Sequence, residues 1–313
     1  VLLIVAAVVS SVSVVGYGYY DTSVRPWNQR ILKVNGTVFD MRDFVKMLRL
    51  NGVSSADYAQ YVISVMEDNE ISRQRLNKDF GVVISDEAVE EELRELLGMT
   101  DNSTEDEFRQ AYKQAQDNLK TAGFSMGDFK KLYIKPMLVS EELRKQIGDR
   151  DYPVDSLFEH AQVQALLITG ADDAAQLRAR WEAGEDFNAL TSEKSVSSYQ
   201  RDLAADNTTI EWVAKGIKSD AFDDFVFSAT PGMLSDPIQD SDETGSYWLI
   251  RVVATEKRAL SESDRDTLVG EAYSKWLEEA SDPENNDIVY YLDKKGGTAM
   301  LNWALDHVTV STS

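Results

Sequence analysis

The segment GSYWLIRV, residues 245–252, opens on one turn glycine and then alternates. Tyr247, Leu249 and Arg251 fall on one side, and Trp248, Ile250 and Val252 on the other. Alternation of this kind predicts a β-strand, and its branched and aromatic residues suit a pleated surface. The strand is expected to continue as YWLIRVVATEKR. Working outward, VQALLIT (163–169) reads as a buried strand, with IEWV (210–213) and SDPI (235–238) as shorter ones. Between them ADDAAQLRARWEAG carries Ala174, Leu177 and Trp181 at helical spacing and places Gly184 past its end. AFDDFVFSA is a second helix, and Pro231-Gly232 a turn. This region is therefore a small α+β unit.

Towards the N-terminus the period changes. ILKVNGTVFD (31–40) is two short strands around an Asn35-Gly36 turn suited to type I′ geometry. Asp40 is placed to cap the helix MRDFVKMLRL, with Phe44, Met47 and Leu48 inward. A long helix over 56–80 follows, with Tyr58, Tyr61, Val62, Val65 and Met66 as its stripe and Gly81 as its stop. Ser85 caps a helix carrying Val89, Leu93 and Leu97, and further helices are expected over 104–122 and 125–147. GDRDYPVD (148–155) breaks the pattern and marks a domain boundary. After the small unit, SDRDTLVGEAYSKWLEEA has Leu268, Val269, Ala272, Tyr273, Trp276 and Leu277 on one face. That stripe is too apolar to stay solvated, so the helix is expected to return to the first helical domain. A short helix around 300–307 ends the tail.

The chain has 313 residues and a net charge of -22. Such a surface repels nucleic acid and anionic lipid headgroups, which excludes a nucleic-acid partner. There is no cysteine, hence no disulfide, thiolate metal site or cysteine nucleophile. His160 and His307 are the two histidines; His160, just ahead of the first strand of the small unit, reads as a linker residue. The sequence lacks a G-x-S-x-G elbow, an H-E-x-x-H pair, a phosphate loop and a dinucleotide fingerprint. No cofactor or metal is expected. The first twenty residues carry no charge, and Tyr17, Tyr19 and Tyr20 close them as an interfacial belt. A cleaved signal peptide is the competing reading, but no A-x-A-like site is present. The expectation is one uncleaved anchor over 1–20 and an extracytoplasmic body. That body divides into a helical domain (21–150), the small α+β domain (151–259) and C-terminal helices returning to the helical domain (260–313).

An ordered set of segments carries a family resemblance. KVNG, the helix with Asp43-Phe44, and ISDEAVEEEL resemble the N-terminal helical domain of the SurA/PrsA chaperones. AGEDFNALTSEKS (183–195), EWVAKG (211–216), AFDDFVF (221–227), PGMLSDPI (231–238) and SYWLIRV (246–252) resemble a parvulin-type peptidyl-prolyl isomerase domain, in family order. The implied fold class is α+β, with one transmembrane helix, a helical SurA-like domain completed by a C-terminal helix, and a parvulin-like domain with an antiparallel sheet.

Family members lower the rotation barrier of a prolyl bond, about 18–20 kcal/mol for a peptide bond, with two histidines and an aspartate or cysteine beside an apolar pocket. The resemblance places Ala165 at the first histidine, Thr209 at the acidic position, Lys218 at the pocket methionine and Trp248 at the second histidine. The pocket phenylalanine is kept as Phe222. Catalytic residues are thus lost while the scaffold remains. Trp248 either fills space that imidazoles once held or joins Phe222 and Trp212 in an exposed aromatic binding patch. Two functions follow from the resemblance: a membrane-anchored binding protein for unfolded exported polypeptides or for a membrane complex, or a working isomerase with a rearranged site.

Overall fold

The computed structural model describes residues 24–53, 55–206 and 209–308. The expected anchor, residues 1–20, lies outside the described residues. Among the described residues no helix is long and apolar enough to cross a membrane. The described residues form two compact units, one of those up to 146 together with those from 273 onward, the other of those between 147 and 272.

In the first unit β1 (Arg30–Val34) and β2 (Thr37–Asp40) form an antiparallel hairpin. Asn35 turns it with φ 53°, the left-handed conformation an Asn-Gly turn requires. Asp40 then accepts hydrogen bonds from the backbone N–H groups of Arg42 and Asp43 at 2.9 and 3.2 Å. This caps α1 (Met41–Leu50), which buries Phe44, Met47 and Leu48. The long α2 (Ala56–Phe80) buries Ala59, Val62, Ile63, Met66 and Ile71 and stops at left-handed Gly81. Tyr58 and Tyr61, expected in the stripe, are instead 65% and 61% exposed. The buried row runs through Ala59 and Ile63, one residue further round the helix, and a phenol tolerates water as an aliphatic side chain does not. Helices α3 (Asp86–Leu96) and α4 (Glu105–Thr121) follow, capped by Ser85 and Thr104. A single turn (Met126–Phe129) and a π-turn (Lys130–Ile134) lead into α5 (Lys135–Asp151).

α5 runs through residues 148–151, where a break was expected. Gly148 is not a breaker there but a point of close approach. A Cβ at that position would meet Val269 Cγ2 at 3.1 Å and Arg265 Nη2 at 3.0 Å.

The second unit is a four-stranded antiparallel sheet with strand order β4-β3-β6-β5. β3 (Leu157–Thr169) and β6 (Ser246–Ala259) are its long central pair, flanked by β4 (Ile210–Ala214) and β5 (Ile238–Gln239). One face buries Ala161, Val163, Ala165 and Leu167 with Val213, Trp248, Ile250 and Val252. That face is covered by Phe222 and Val226 of α9 (Asp220–Val226). The other face buries Leu166, Ile168 and Leu249 beneath α6 (Ala171–Glu182) and α7 (Phe187–Lys194), through Leu177, Trp181 and Leu190.

β3 begins six residues before the stretch read as a strand, and this corrects the reading of His160. It lies inside the strand, buried, opposite Ala214 and Glu256. Its Nδ1 sits 2.9 Å from the Phe158 carbonyl oxygen. After Ser195 the chain forms α8 (Ser198–Ala205), whose buried Gln200 accepts from the Leu167 N–H at 2.9 Å and the Ser195 hydroxyl at 2.6 Å.

α10 (Glu262–Ala280) contributes to both units. Within the second, the Leu268 side chain lies where a Cβ on Gly216 would come within 2.7 Å, and Gly216 has φ +93°. Glycine is the residue that meets both demands. Within the first, Tyr273 accepts from Ser140 at 3.1 Å, and the Arg75 guanidinium lies 5.7 Å from the centre of the Trp276 ring. β7 (Ile288–Tyr290) then pairs with β1, giving a three-stranded sheet in the order β2-β1-β7. Tyr290 donates to Glu67 at 2.6 Å. Burial raises the Glu67 carboxyl above its ordinary range, against the lowering effect of that hydrogen bond. α11 (Gly297–Asp306) closes the unit.

Candidate functional site

The sheet face beneath α9 gathers three of the positions singled out by sequence. β3 brings Ala165 opposite Ile250 and Leu167 opposite Trp248, and α9 lays Phe222 over them. The rings of Phe222 and Trp248 meet edge to face, with centroids 5.1 Å apart at 72°. Trp248 is 6% exposed and Phe222 fully buried. Every member of this cluster is apolar apart from the indole N–H, which only donates, so the cluster offers no proton donor and acceptor pair. Trp248 Nε1 is buried with no hydrogen-bond partner.

The remaining positions lie elsewhere. Thr209 is buried and its hydroxyl donates to Asn188 Oδ1 at 2.5 Å. Lys218 reaches over the Tyr199 ring, 5.9 Å from its centre. Trp212 alternates with Val213 along β4 and therefore faces away from the Phe222 cluster. The Arg258 guanidinium stacks on it at 4.4 Å. The exposed patch of Trp212, Phe222 and Trp248 is not formed, because the strand pleat separates the first from the other two.

Sequence reading passed over Asp223, one residue after Phe222. Its Oδ2 accepts from the Gly216 N–H at 2.6 Å, while Oδ1 is buried without a partner. Burial pushes this carboxyl up to about 6, against the lowering effects of the Gly216 N–H and of Lys215. The folded state thus keeps a proton that the unfolded chain releases near pH 4. The resulting stabilisation is fully present below that pH and is lost as pH rises through about 6. Asp223→Asn is therefore expected to raise the denaturation midpoint at pH 8, by about 1 kcal/mol after solvent screening, and to leave it unchanged at pH 4. Urea titrations at the two pH values check this; an equal effect at both would exclude the proton.

The first unit holds an apolar cleft of about 370 Å³, within the range of ligand pockets. Met47 of α1, Met66 of α2 and Leu132, Pro136 and Val139 line it, with Thr37, Val38 and Phe39 along one side. Several of its polar groups pair with one another. Glu70 accepts from Arg73 at 2.6 Å, Thr37 at 2.5 Å and Gln74 at 2.7 Å. Burial alone would raise this carboxyl, but those hydrogen bonds hold it below its ordinary range. Lys131 pairs with Asp43 at 3.0 Å. The cleft is assembled from three separated stretches with no common motif, which is why no single segment announced it. Among the described residues no group of three or more acidic or histidine side chains is placed to hold a metal ion.

No family model matches the chain. It is 25% identical over 254 residues to the foldase protein PrsA of Halalkalibacterium halodurans, covering 78% of this chain and 71% of that protein. It is 23% identical over 184 residues to the foldase protein PrsA 2 of Bacillus cereus, covering 57% of this chain and 60% of that one. Among solved structures, a peptidylprolyl isomerase (PrsA) from Bacillus anthracis matches at 19% identity and a TM-score of 0.42, over 79% of this chain and 99% of that chain. Both curated relatives are foldase proteins of the PrsA kind, and this chain is similar to them.

Proposed function

Starting from a SurA/PrsA-like chain, we propose a membrane-anchored, extracytoplasmic chaperone that binds unfolded exported polypeptides and whose parvulin-like unit does not catalyse isomerisation. The observation that carries the inactive unit is the apolar cluster of Ala165, Leu167, Phe222 and Trp248. A prolyl ring needs a vacant apolar pocket beside polar groups that act on the amide. Here the indole occupies the pocket, and the side chains clustered around it are apolar.

Binding then belongs to the helical unit, whose cleft, with the flexible Met47 and Met66 in its wall, suits varied apolar side chains. Residues 1–20 would hold the body at the membrane. Peptide cis/trans assays on residues 28–313 are expected to give rates near background, and Trp248→His is expected not to restore them. Acceleration comparable to an active parvulin under the same conditions would instead establish the rearranged-site enzyme. Suppression of aggregation of a denatured exported protein is expected from the same preparation. A single stoichiometric partner in native membranes, without such suppression, would favour a fixed subunit of a membrane complex.

A further inference from the structure

We propose that the free edge of β2 is where the helical unit takes hold of its client, by adding an extended apolar segment as a fourth strand beside the cleft. The inference rests on the client-binding reading for the kind of occupant and on backbone geometry for the place.

Three consecutive residues, Thr37, Val38 and Phe39, line the cleft. Side chains of a strand alternate between faces, so three in a row meet one cavity only along the strand's edge. β2 is terminal in the sheet order β2-β1-β7, so one of its edges is open. The direction of its hydrogen bonds can be read from the opposite strand. Between β1 and β7, Tyr291 donates to the Ile31 carbonyl at 2.9 Å and Asn35 donates to the Asp287 carbonyl at 2.8 Å. Bonded positions recur at every second residue, so Lys33 turns its own N–H and C=O towards Val289 of β7. Val38 is the partner of Lys33 in the hairpin and turns its groups the other way, off the sheet. Among the described residues no hydrogen bond reaches the Val38 N–H or C=O, and its side chain is 42% exposed.

An unpaired donor and acceptor at strand spacing are matched by another extended backbone, not by a helix or a small apolar molecule. The apolar wall of Met47, Met66, Leu132 and Val139 then receives alternate side chains of the added strand. Glu70 and Arg73 pair with each other and Lys131 with Asp43, so these charges are already matched within the unit. Sequence-tolerant backbone pairing with apolar side-chain pockets fits an occupant that is unfolded polypeptide.

The test uses the full chain and a fluorescent peptide of about six apolar, β-branched residues, long enough for a strand, read by anisotropy. Val38→Pro removes the outward N–H without touching a ladder bond, a substitution edge strands accept. Val38→Ala removes the side chain and keeps the N–H. Wild type and Val38→Ala are expected to bind alike, and Val38→Pro about tenfold more weakly. A peptide N-methylated at alternate amides should lose binding to the wild type by a similar factor. The methylated peptide decides the matter if Val38→Pro melts early. Undiminished binding by Val38→Pro and of the methylated peptide would overturn edge pairing while leaving a client-binding cleft. Equal losses in Val38→Ala and Val38→Pro would make the side chain, not the backbone, the contact. Absence of binding to the wild type would remove the client-binding reading itself. A dimer that Val38→Pro dissociates would assign the edge to a second copy of this chain and overturn the proposal.

Discussion

Trp248→Ala is expected to destabilise the parvulin-like unit by about 3–5 kcal/mol. The indole is 6% exposed, lies edge-on to Phe222 and fills the sheet face beside Ala165 and Leu167. Alanine would leave a cavity bordered by strands and one helix turn, which relax little. The informative companion is Trp248→Phe. It keeps most of the buried ring and removes an N–H that has no partner in the core. A buried unsatisfied donor costs about 1–3 kcal/mol, so phenylalanine should be neutral or stabilising despite its smaller volume. Trp248→His should destabilise, since imidazole is smaller and more polar than the space it would enter. Urea denaturation followed by circular dichroism measures all three. A Trp248→Ala protein with an unchanged midpoint would take the indole out of the core and reopen the site as a binding surface.

Trp276→Ala is expected to cost the helical unit a comparable amount, about 3–5 kcal/mol. Trp276 is 8% exposed, stacks with Tyr273 at a centroid distance of 6.3 Å, and receives the Arg75 guanidinium over its face. Truncation loses the burial, the ring pair and the cation–π contact together. Hydrogen exchange locates the loss: amides of α2 near Arg75 should open first. Trp276→Phe should recover roughly half of the effect. If protection of α2 and the melting temperature both stay as they were, α10 does not brace this unit.

Much of this architecture was legible because local chemistry and tertiary role agree. Asp40 and Ser85 cap helices where their side chains predict, and Asn35-Gly36 turns the hairpin. The alternation of Trp248, Ile250 and Val252 against Leu249 matches two apolar faces of one sheet. Other features depend on distant partners and left little local trace. β7 is three residues long, too short for a period to show, and exists because β1 needs a second neighbour. His160 looked like a linker because the polar residues around it hide a strand whose inward positions are Ala161 and Val163. Gly148 read as a stop and turned out to be a place where Val269 comes close. In the site, resemblance located Ala165, Phe222 and Trp248, and the pleat then removed Trp212 from their company. The cleft beside β2 was invisible because its lining comes from stretches up to about a hundred residues apart, between Thr37 and Val139.

The pairing of β1 with β7 also sets an order of events. Lys33 and Asp287 meet at 2.5 Å across a sequence separation of 254 residues. Residues 147–272, by contrast, are contiguous and can close as soon as they have emerged. A ribosome adding about 5–20 residues per second needs on the order of ten to fifty seconds to travel from one strand to the other. Throughout that interval the β1 edge that β7 will pair lies uncovered, although N-terminal helices can already bury Val89, Leu93, Met126 and Ile134 against one another. This protein therefore begins life in part like the polypeptides we propose it binds, and its first unit is complete only when its last strand arrives.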